Sequence, residues 1–175
     1  MKELADSGAM VRFREAKFGD LPGIVKILND IILEGDMTAD MSPYSVDEKQ
    51  SWLESLSKPP YFVHVLEVDG IIAGYVYISP WRNGRAALQH VAEISYFLAM
   101  AFRGAGYGRK LLLRGLQSAK EGGIKTLLAI LLDSNTTSTQ LLESEGFHIA
   151  GHLPLVAELN DRVAGQFIMM KNINP

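Results

Sequence analysis

A glycine-rich junction between a strand-like and a helix-like segment constrains the fold of this sequence more than any other feature. Residues 94–98 read as a strand, and residues 111–119 carry apolar side chains at helical spacing. Glycine adopts the turn angles that aim successive backbone N–H groups at an anion, and a helix begins at the positive end of its dipole. The junction therefore predicts a phosphate-binding loop. Its residues are Arg103, Gly104, Ala105, Gly106, Tyr107 and Gly108.

The spacing of these glycines differs from the two commonest nucleotide-binding motifs. A Rossmann fingerprint would need glycine at Arg109, and a Walker loop would need Gly-Lys followed by serine or threonine. Arg103, Arg109 and Lys110 add positive charge beside the loop. Two interpretations stay open, an anion-binding loop of another kind and a turn that only caps the helix.

The first half of the chain predicts a strand, two helices and a hairpin. Asp20 is expected to cap the first helix, and Ser45 with Glu48 forms a capping box for the second. The dipeptide Asp69-Gly70 joins two segments rich in β-branched and aromatic residues, which indicates a two-residue hairpin turn.

The second half predicts a strand at residues 90–98, the glycine loop and a helix that ends at Gly122 and Gly123. The wholly apolar residues 126–132 are typical of a strand buried on both faces. A short helix capped by Asn135 and two strands complete the chain. The order β-α-α-β-β-β-α-β-α-β-β implies an α/β (α+β) fold, a mixed sheet with helices on both faces.

Charge and composition exclude several partners. A net charge of −3 leaves no basic footprint for nucleic acid, and no run of about 18 apolar residues predicts a membrane span. The absence of cysteine excludes disulfides, thiolate metal sites and an acetyl-cysteine intermediate. No metal site is expected, because His148 and His152 stand among glycines and cannot share one helix face.

Length and the start of the chain predict its organisation. With 175 residues, 47% of them hydrophobic, the chain can form one domain with a sizeable core, which we place at residues 10–175. Residues 1–9 are interpreted as a leader or tag-like segment. They are charged and lack a signal-peptide core, which predicts a cytoplasmic location.

Three motifs together resemble the GCN5-related N-acetyltransferase (GNAT) superfamily. They are the loop at residues 103–108, Asn135, and Glu-Ser-Glu-Gly-Phe at residues 143–147. The resemblance covers about residues 11–171. It implies a mostly antiparallel sheet of about seven strands that splays between strands 4 and 5, with acetyl-CoA as cosubstrate. Residues 80–82 (Pro-Trp-Arg) and 92–98 resemble the phosphinothricin acetyltransferase-like branch.

The resemblance also implies where acetyl-CoA binds. The pantetheine arm would pair with the fourth strand, the pyrophosphate would lie on the loop amides, and Asn135 would reach the pantetheine or the thioester. The implied cofactor-binding residues are Phe97, Leu98, Ala99, Arg103, Gly104, Ala105, Gly106, Tyr107, Gly108 and Asn135.

Glu93 matches the family's proposed catalytic glutamate and is the candidate general base. An acceptor amine is protonated at neutral pH, so a base must remove its proton before attack. The alternative is that Glu93 pairs with Arg82 or Arg85 as part of the structure. Relatives often carry tyrosine or histidine as general acid where this chain has Leu142, which leaves water or Tyr96 for that role.

The resemblance implies an N-acetyltransferase that acts on a small amine, an amino acid or an analogue, by direct attack in a ternary complex. A non-catalytic acetyl-CoA-binding sensor and a protein or peptide N-acetyltransferase are the alternatives. Residues 34–41 lack the branch's aromatic side chains, which makes phosphinothricin a doubtful substrate. Glu34, Asp36 and Asp40 there indicate either a cationic amine or a solvated loop. The branch also implies a homodimer.

Overall fold

The computed structural model describes residues 8–173. Residues 1–7 of the predicted leader lie outside the described part, whereas Ala9 packs against the core and the Met10 N–H donates to Asp69 Oδ1 at 2.9 Å.

A seven-stranded sheet forms the centre of the described chain, in the order β1-β2-β3-β4-β5-β7-β6. Neighbouring strands are antiparallel except for β4 and β5. The mixed, mostly antiparallel sheet confirms the expected fold. The strands are β1 (Val11–Glu15), β2 (Phe62–Val68), β3 (Ile71–Pro80), β4 (Val91–Leu98), β5 (Thr126–Leu132), β6 (His148–Glu158) and β7 (Val163–Asn172).

Four α-helices cover both faces of this sheet in the described chain: α1 (Leu21–Glu34), α2 (Val46–Ser55), α3 (Tyr107–Glu121) and α4 (Thr136–Ser144). Buried side chains of α1 and α2 join one core cluster, and those of α3 and α4 join the other. Gly115 lets α3 approach the sheet, because a Cβ there would lie 2.7 Å from Val76 Cγ2 and 2.8 Å from Ile94 Cδ1.

Two of the predicted local structures, a capping box and a hairpin turn, formed as expected, and a predicted helix cap did not. Ser45 and Glu48 form the capping box of α2, and Asp69 (φ 51°) with Gly70 (φ 79°) makes the hairpin turn. Asp20 stands at the N-cap of α1 without capping it. Its carboxylate instead accepts hydrogen bonds from the Lys17 N–H and from the Arg14 guanidinium at 2.6 and 2.8 Å. The guanidinium donates to both carboxylate oxygens, so Asp20 forms two charge-assisted hydrogen bonds where a helix cap would give it one.

The predicted splay lies between β4 and β5. Their pairing begins at Val91↔Thr126 and ends at Glu93↔Leu128. Beyond that pair, β4 stays with β3 as far as Leu98, and β5 stays with β7 as far as Leu132. Because each strand follows its antiparallel partner, the two halves of the sheet separate beyond Glu93.

Candidate active site

The gap between β4 and β5 forms a cleft of about 240 Å³ that passes through the sheet. Its lining divides into two groups on opposite faces. The first, which we call the acceptor wall, lies on the face covered by α1 and α2. It consists of residues 37–40, Tyr77, Glu93, Ser95 and Gln166. The second comprises Tyr96, Asn135, Ser138 and Leu142. We call this group the cofactor side and count with it the glycine loop, which lies outside the lining, between β4 and α3.

Glu93 lies in the cleft, half-buried, at the last residue of β4 that pairs with β5. Burial raises the pKa of its carboxyl above the ordinary value, and no other cause is resolved. Within residues 8–173 the carboxylate forms no ion pair, so the alternative pairing with Arg82 or Arg85 is not observed. A carboxylate in this setting can accept a proton near neutral pH.

The glycine loop leads into α3 as predicted. Gly104 (φ 78°) and Gly106 (φ 80°) adopt left-handed conformations, and Gly106 is the N-cap of the helix. No side chain caps α3, so the first N–H groups of the helix are left for an outside acceptor. Tyr107 packs edge-on against Phe102, with 6.2 Å between ring centroids. The loop has the backbone geometry that a phosphate requires.

Two of the three basic side chains beside the loop pair with carboxylates, whereas the Lys110 Nζ lies 5.3 Å from the centroid of the Tyr107 ring. Arg103 donates to both oxygens of Glu34 at 2.6 and 3.0 Å, and its Nε donates to the Leu98 carbonyl at 3.3 Å. Arg109 donates to Glu145 at 2.5 Å. The Arg103 guanidinium thus ties the start of the loop to the end of α1. Its contact with the cofactor stays a prediction.

The three residues at the end of β4 that were predicted to bind acetyl-CoA differ in the direction that their backbone N–H and C=O groups face. The Ala99 N–H donates to the Ala73 carbonyl, so Ala99 faces β3. Because donors and acceptors alternate along an antiparallel pair, Phe97 also turns its backbone toward β3, whereas Tyr96 and Leu98 turn theirs toward the gap. Of the three predicted residues, Leu98 alone has its backbone groups on the gap side, and the Phe97 side chain lines the cleft.

Asn135 lies where the sequence placed it, at the end of β5. It is the N-cap of α4, and its Oδ1 accepts from the Ser138 N–H at 3.1 Å. Leu142 on the same helix is 1% exposed and adds an apolar surface to the cleft. The position that often carries a proton donor in relatives thus holds a leucine side chain, which cannot donate a proton.

The acceptor wall contains residues that the sequence did not single out. Tyr77 on β3 pairs with Ser95 on β4. Trp52 contacts the Tyr77 ring edge-on, with 5.1 Å between the ring centroids. Gln166 reaches the cleft from β7. An aromatic residue in a strand is usually a core residue. Only the tertiary structure could therefore show that Tyr77 lines the cleft while its neighbour Tyr75 is buried in the core.

The three acidic residues after α1 have different surroundings. Glu34 is bound by Arg103, and Asp36 is exposed. Asp40 lines the cleft and accepts a hydrogen bond from the Tyr44 hydroxyl at 3.1 Å. Only Asp40 of these acids therefore belongs to the acceptor wall.

In the described part of the chain, no group of three or more histidine and acidic residues could hold a metal ion. His152 contacts Asp133 at 2.9 Å. No helix between residues 8 and 173 is long and apolar enough to cross a membrane.

Comparison with known proteins agrees with this geometry. Residues 28–147 match the model of the acetyltransferase (GNAT) family. An L-methionine sulfoximine/L-methionine sulfone acetyltransferase of Pseudomonas paraeruginosa is 29% identical over 93% of this chain and 94% of its own length. An L-amino acid N-acyltransferase of Escherichia coli is 29% identical over 82% of this chain and 83% of its own.

A solved structure has the same architecture. The GNAT superfamily phosphinothricin acetyltransferase of Sinorhizobium meliloti, in complex with acetyl-CoA, matches with a TM-score of 0.88 and 25% identity. The match covers 94% of this chain and 89% of that protein.

Proposed function

This chain belongs to the acetyltransferase (GNAT) family and is an N-acetyltransferase, and we propose that it transfers acetyl from acetyl-CoA to the amine of an amino acid or a similar small molecule. The observation that carries this proposal is the half-buried Glu93 carboxyl in the cleft between β4 and β5, which forms no ion pair with any residue from 8 to 173. The acceptor attacks the thioester directly while both substrates are bound.

The cofactor side fits the chemical groups of acetyl-CoA. The uncapped start of α3 and its two left-handed glycines suit a pyrophosphate, which binds backbone N–H groups at the positive end of a helix. The gap-facing backbone of Tyr96 and Leu98 suits an amide-bearing arm, which pairs with a strand edge as an added strand does. Asn135 lines the cleft, from which it would reach the pantetheine or the thioester. When bound, acetyl-CoA supplies the activated acyl group.

Glu93 acts as the general base. A primary amine has a pKa near 10, so roughly 99.9% of it is protonated at pH 7 and cannot attack a carbonyl carbon. The carboxylate accepts that proton, directly or through one water, and the amine becomes nucleophilic. The raised pKa of Glu93 makes its carboxylate a stronger base than an exposed glutamate.

The acceptor wall supports a small, cationic acceptor. Asp40 and Glu93 place two carboxyl groups around a cleft that is also lined by Tyr77 and the Gln166 amide. Carboxylates favour an ammonium group, and the amide and phenol offer partners for the other polar groups of an amino acid. The two relatives named above act on amino acids or amino acid analogues, according to their names.

The chain is also proposed to form a homodimer. β6 is an edge strand, and apolar side chains on β6 and β7 are exposed. They are Ile149 (45%), Leu153 (43%), Leu155 (74%), Val156 (55%) and Val163 (52%). Sedimentation equilibrium should give twice the chain mass of 19.3 kDa, and a monomeric mass would contradict the proposal. The cytoplasmic location stays a prediction.

The experiment that tests the function is acetyl-CoA turnover, measured as free-thiol release, with calorimetric binding of acetyl-CoA alongside. The acceptors are amino acids, methionine sulfone and sulfoximine, polyamines and short peptides. Turnover confined to amino acids and their analogues supports the proposal. Turnover confined to peptides favours a protein N-acetyltransferase, and tight binding without turnover favours a sensor.

A further inference from the structure

The Tyr96 hydroxyl is a buried polar atom in the cleft without a hydrogen-bond partner among the described residues. Nearly all buried polar groups are paired, and an unpaired hydroxyl destabilises the folded chain. Phenylalanine would fill the same space without that cost. The hydroxyl therefore calls for an explanation other than packing.

Tyr96 lies three residues after Glu93 on β4, beyond the last pair with β5. Side chains alternate along a strand, so Glu93 lies on the acceptor wall and Tyr96 on the cofactor side. The gap between the strands thus has a carboxylate on one face and a phenol on the other. This arrangement removes a proton on one face of the sheet and supplies a proton on the opposite face.

The surroundings of Tyr96 leave its hydroxyl free to donate. Leu142 offers no proton, because its side chain is hydrocarbon. Burial raises the pKa of Tyr96 above the ordinary value. The nearby Ser138 hydroxyl on α4 opposes this rise, although the two hydroxyls do not meet hydrogen-bond geometry. The phenol therefore stays protonated throughout the neutral range.

We propose that the Tyr96 hydroxyl is the catalytic acid that donates a proton to the departing CoA sulfur. This role rests on the proposed acetyl transfer. The amine nitrogen forms a bond to the carbonyl carbon, and the carbon–sulfur bond breaks with its electron pair going to sulfur. Glu93 takes one proton from the ammonium before attack and passes it to solvent, then takes a second proton from nitrogen as the carbon–nitrogen bond forms, and Tyr96 gives its proton to sulfur. Solvent then returns a proton to Tyr96 and removes one from Glu93, so the products are an amide and a thiol.

The expected contribution of Tyr96 is moderate. A thiol with a pKa of about 8.5 is a good leaving group, so water can replace the phenol at reduced rate. Tyr96→Phe should lower kcat by about 30- to 100-fold, at the lower end of what general acids contribute. The affinity for acetyl-CoA should stay within about twofold, because the pyrophosphate and the strand edge are unchanged.

The matched control is Tyr61→Phe, which removes a hydroxyl from a partly buried tyrosine outside the cleft. Its kcat should equal that of the wild type. The thermal midpoint of Tyr96→Phe should be equal to or higher than that of the wild type, because the variant loses an unpaired buried hydroxyl. An unchanged midpoint also shows that a lower kcat does not come from unfolding.

A binding measurement tests the contact with sulfur without any turnover. The affinity for CoA is measured by calorimetry as the pH crosses the thiol pKa, for the wild type and for Tyr96→Phe, with desulfo-CoA as the control ligand. A hydrogen bond from Tyr96 favours the thiolate, so the wild type should gain more affinity with rising pH than the variant. Desulfo-CoA should show no difference between the two proteins.

Each outcome decides a different point. Lower kcat together with the sulfur-specific affinity difference supports the role of Tyr96. Unchanged kcat overturns it and leaves the acetyltransferase proposal intact. Lower kcat with identical pH dependence of CoA affinity also overturns it, since that result is what a structural role predicts. No turnover of any acceptor by the wild type overturns the proposed function and the role of Tyr96 with it.

Discussion

The cofactor side and the acceptor wall meet in one cleft but are made of different parts of the chain. The cofactor side presents mainly backbone, the N–H groups at the start of α3 and the gap-facing edge of β4. The acceptor wall presents side chains from β3, β4, β7 and the segment after α1. The cofactor side therefore depends on the backbone conformation of one loop and one strand end. The acceptor wall depends on which side chains from distant segments lie together.

This difference explains why the two surfaces tolerate change differently. A backbone surface changes little with side-chain replacement, provided that the glycines keep their conformations. A side-chain surface changes with each substitution, and its residues come from segments far apart in the sequence. One fold can therefore keep a common cosubstrate while its acceptors vary.

The largest effect is expected from Glu93→Gln on the acceptor wall. kcat should fall roughly 10²- to 10³-fold, because the amide cannot accept a proton, while the affinity for acetyl-CoA stays unchanged. Wild-type kcat should fall as the pH drops through the raised pKa of Glu93, since the protonated carboxyl is no longer a base. The variant should lack this acid limb. Glu54→Gln, at an exposed position on α2, is the control. Wild-type kcat in Glu93→Gln would place the base elsewhere.

Gly106→Val should give the next largest effect, on the cofactor side. Residue 106 has φ 80°, which valine adopts only with strain, so the loop should shift and the Kd for acetyl-CoA should rise about 10²-fold. Gly123→Val introduces the same strain at the other end of α3, where φ is 81°. It should lower stability without changing the Kd. Equal affinities in wild type and Gly106→Val would mean that the loop only caps the helix.

Asp40→Asn separates recognition of the acceptor from chemistry. The KM for a cationic acceptor should rise about tenfold, and kcat should change little, because Asp40 attracts the ammonium group without taking its proton. Asp161→Asn, in the exposed turn between β6 and β7, is the control. Initial rates over a range of acceptor concentrations give both constants. An unchanged KM would mean that Asp40 does not attract the ammonium group of the acceptor.

The smallest effect is expected from Glu34→Gln, which breaks the pair with Arg103. The Kd for acetyl-CoA should rise about threefold, because a partly exposed pair contributes little and the loop keeps its glycines. Asp30→Asn breaks the exposed pair with Lys26 on the same helix and should leave the Kd unchanged. Tighter binding by Glu34→Gln would show that a freed Arg103 binds phosphate directly.

Local signals predicted most of the fold and part of the site. The capping box at Ser45 and the hairpin turn at Asp69 formed as expected because each depends on a few adjacent residues. Asp20 was expected to cap α1, but Arg14 is its partner across the end of β1. Arg103 stays a predicted cofactor-binding residue, but the pairing of its guanidinium with Glu34, 69 residues away in the sequence, could not be read from local signals.

The order of elements, the glycine loop and Glu93 as a candidate base could all be read from the sequence. Turn angles, helix caps and strand alternation are properties of neighbouring residues, so their pattern can be read along the chain. Three features required the folded chain: the separation of β4 and β5 after Glu93, the place of Tyr77 and Gln166 in the acceptor wall, and a buried Tyr96 hydroxyl without a hydrogen-bond partner among the described residues. These features depend on which distant segments pack together, and no local pattern encodes that choice.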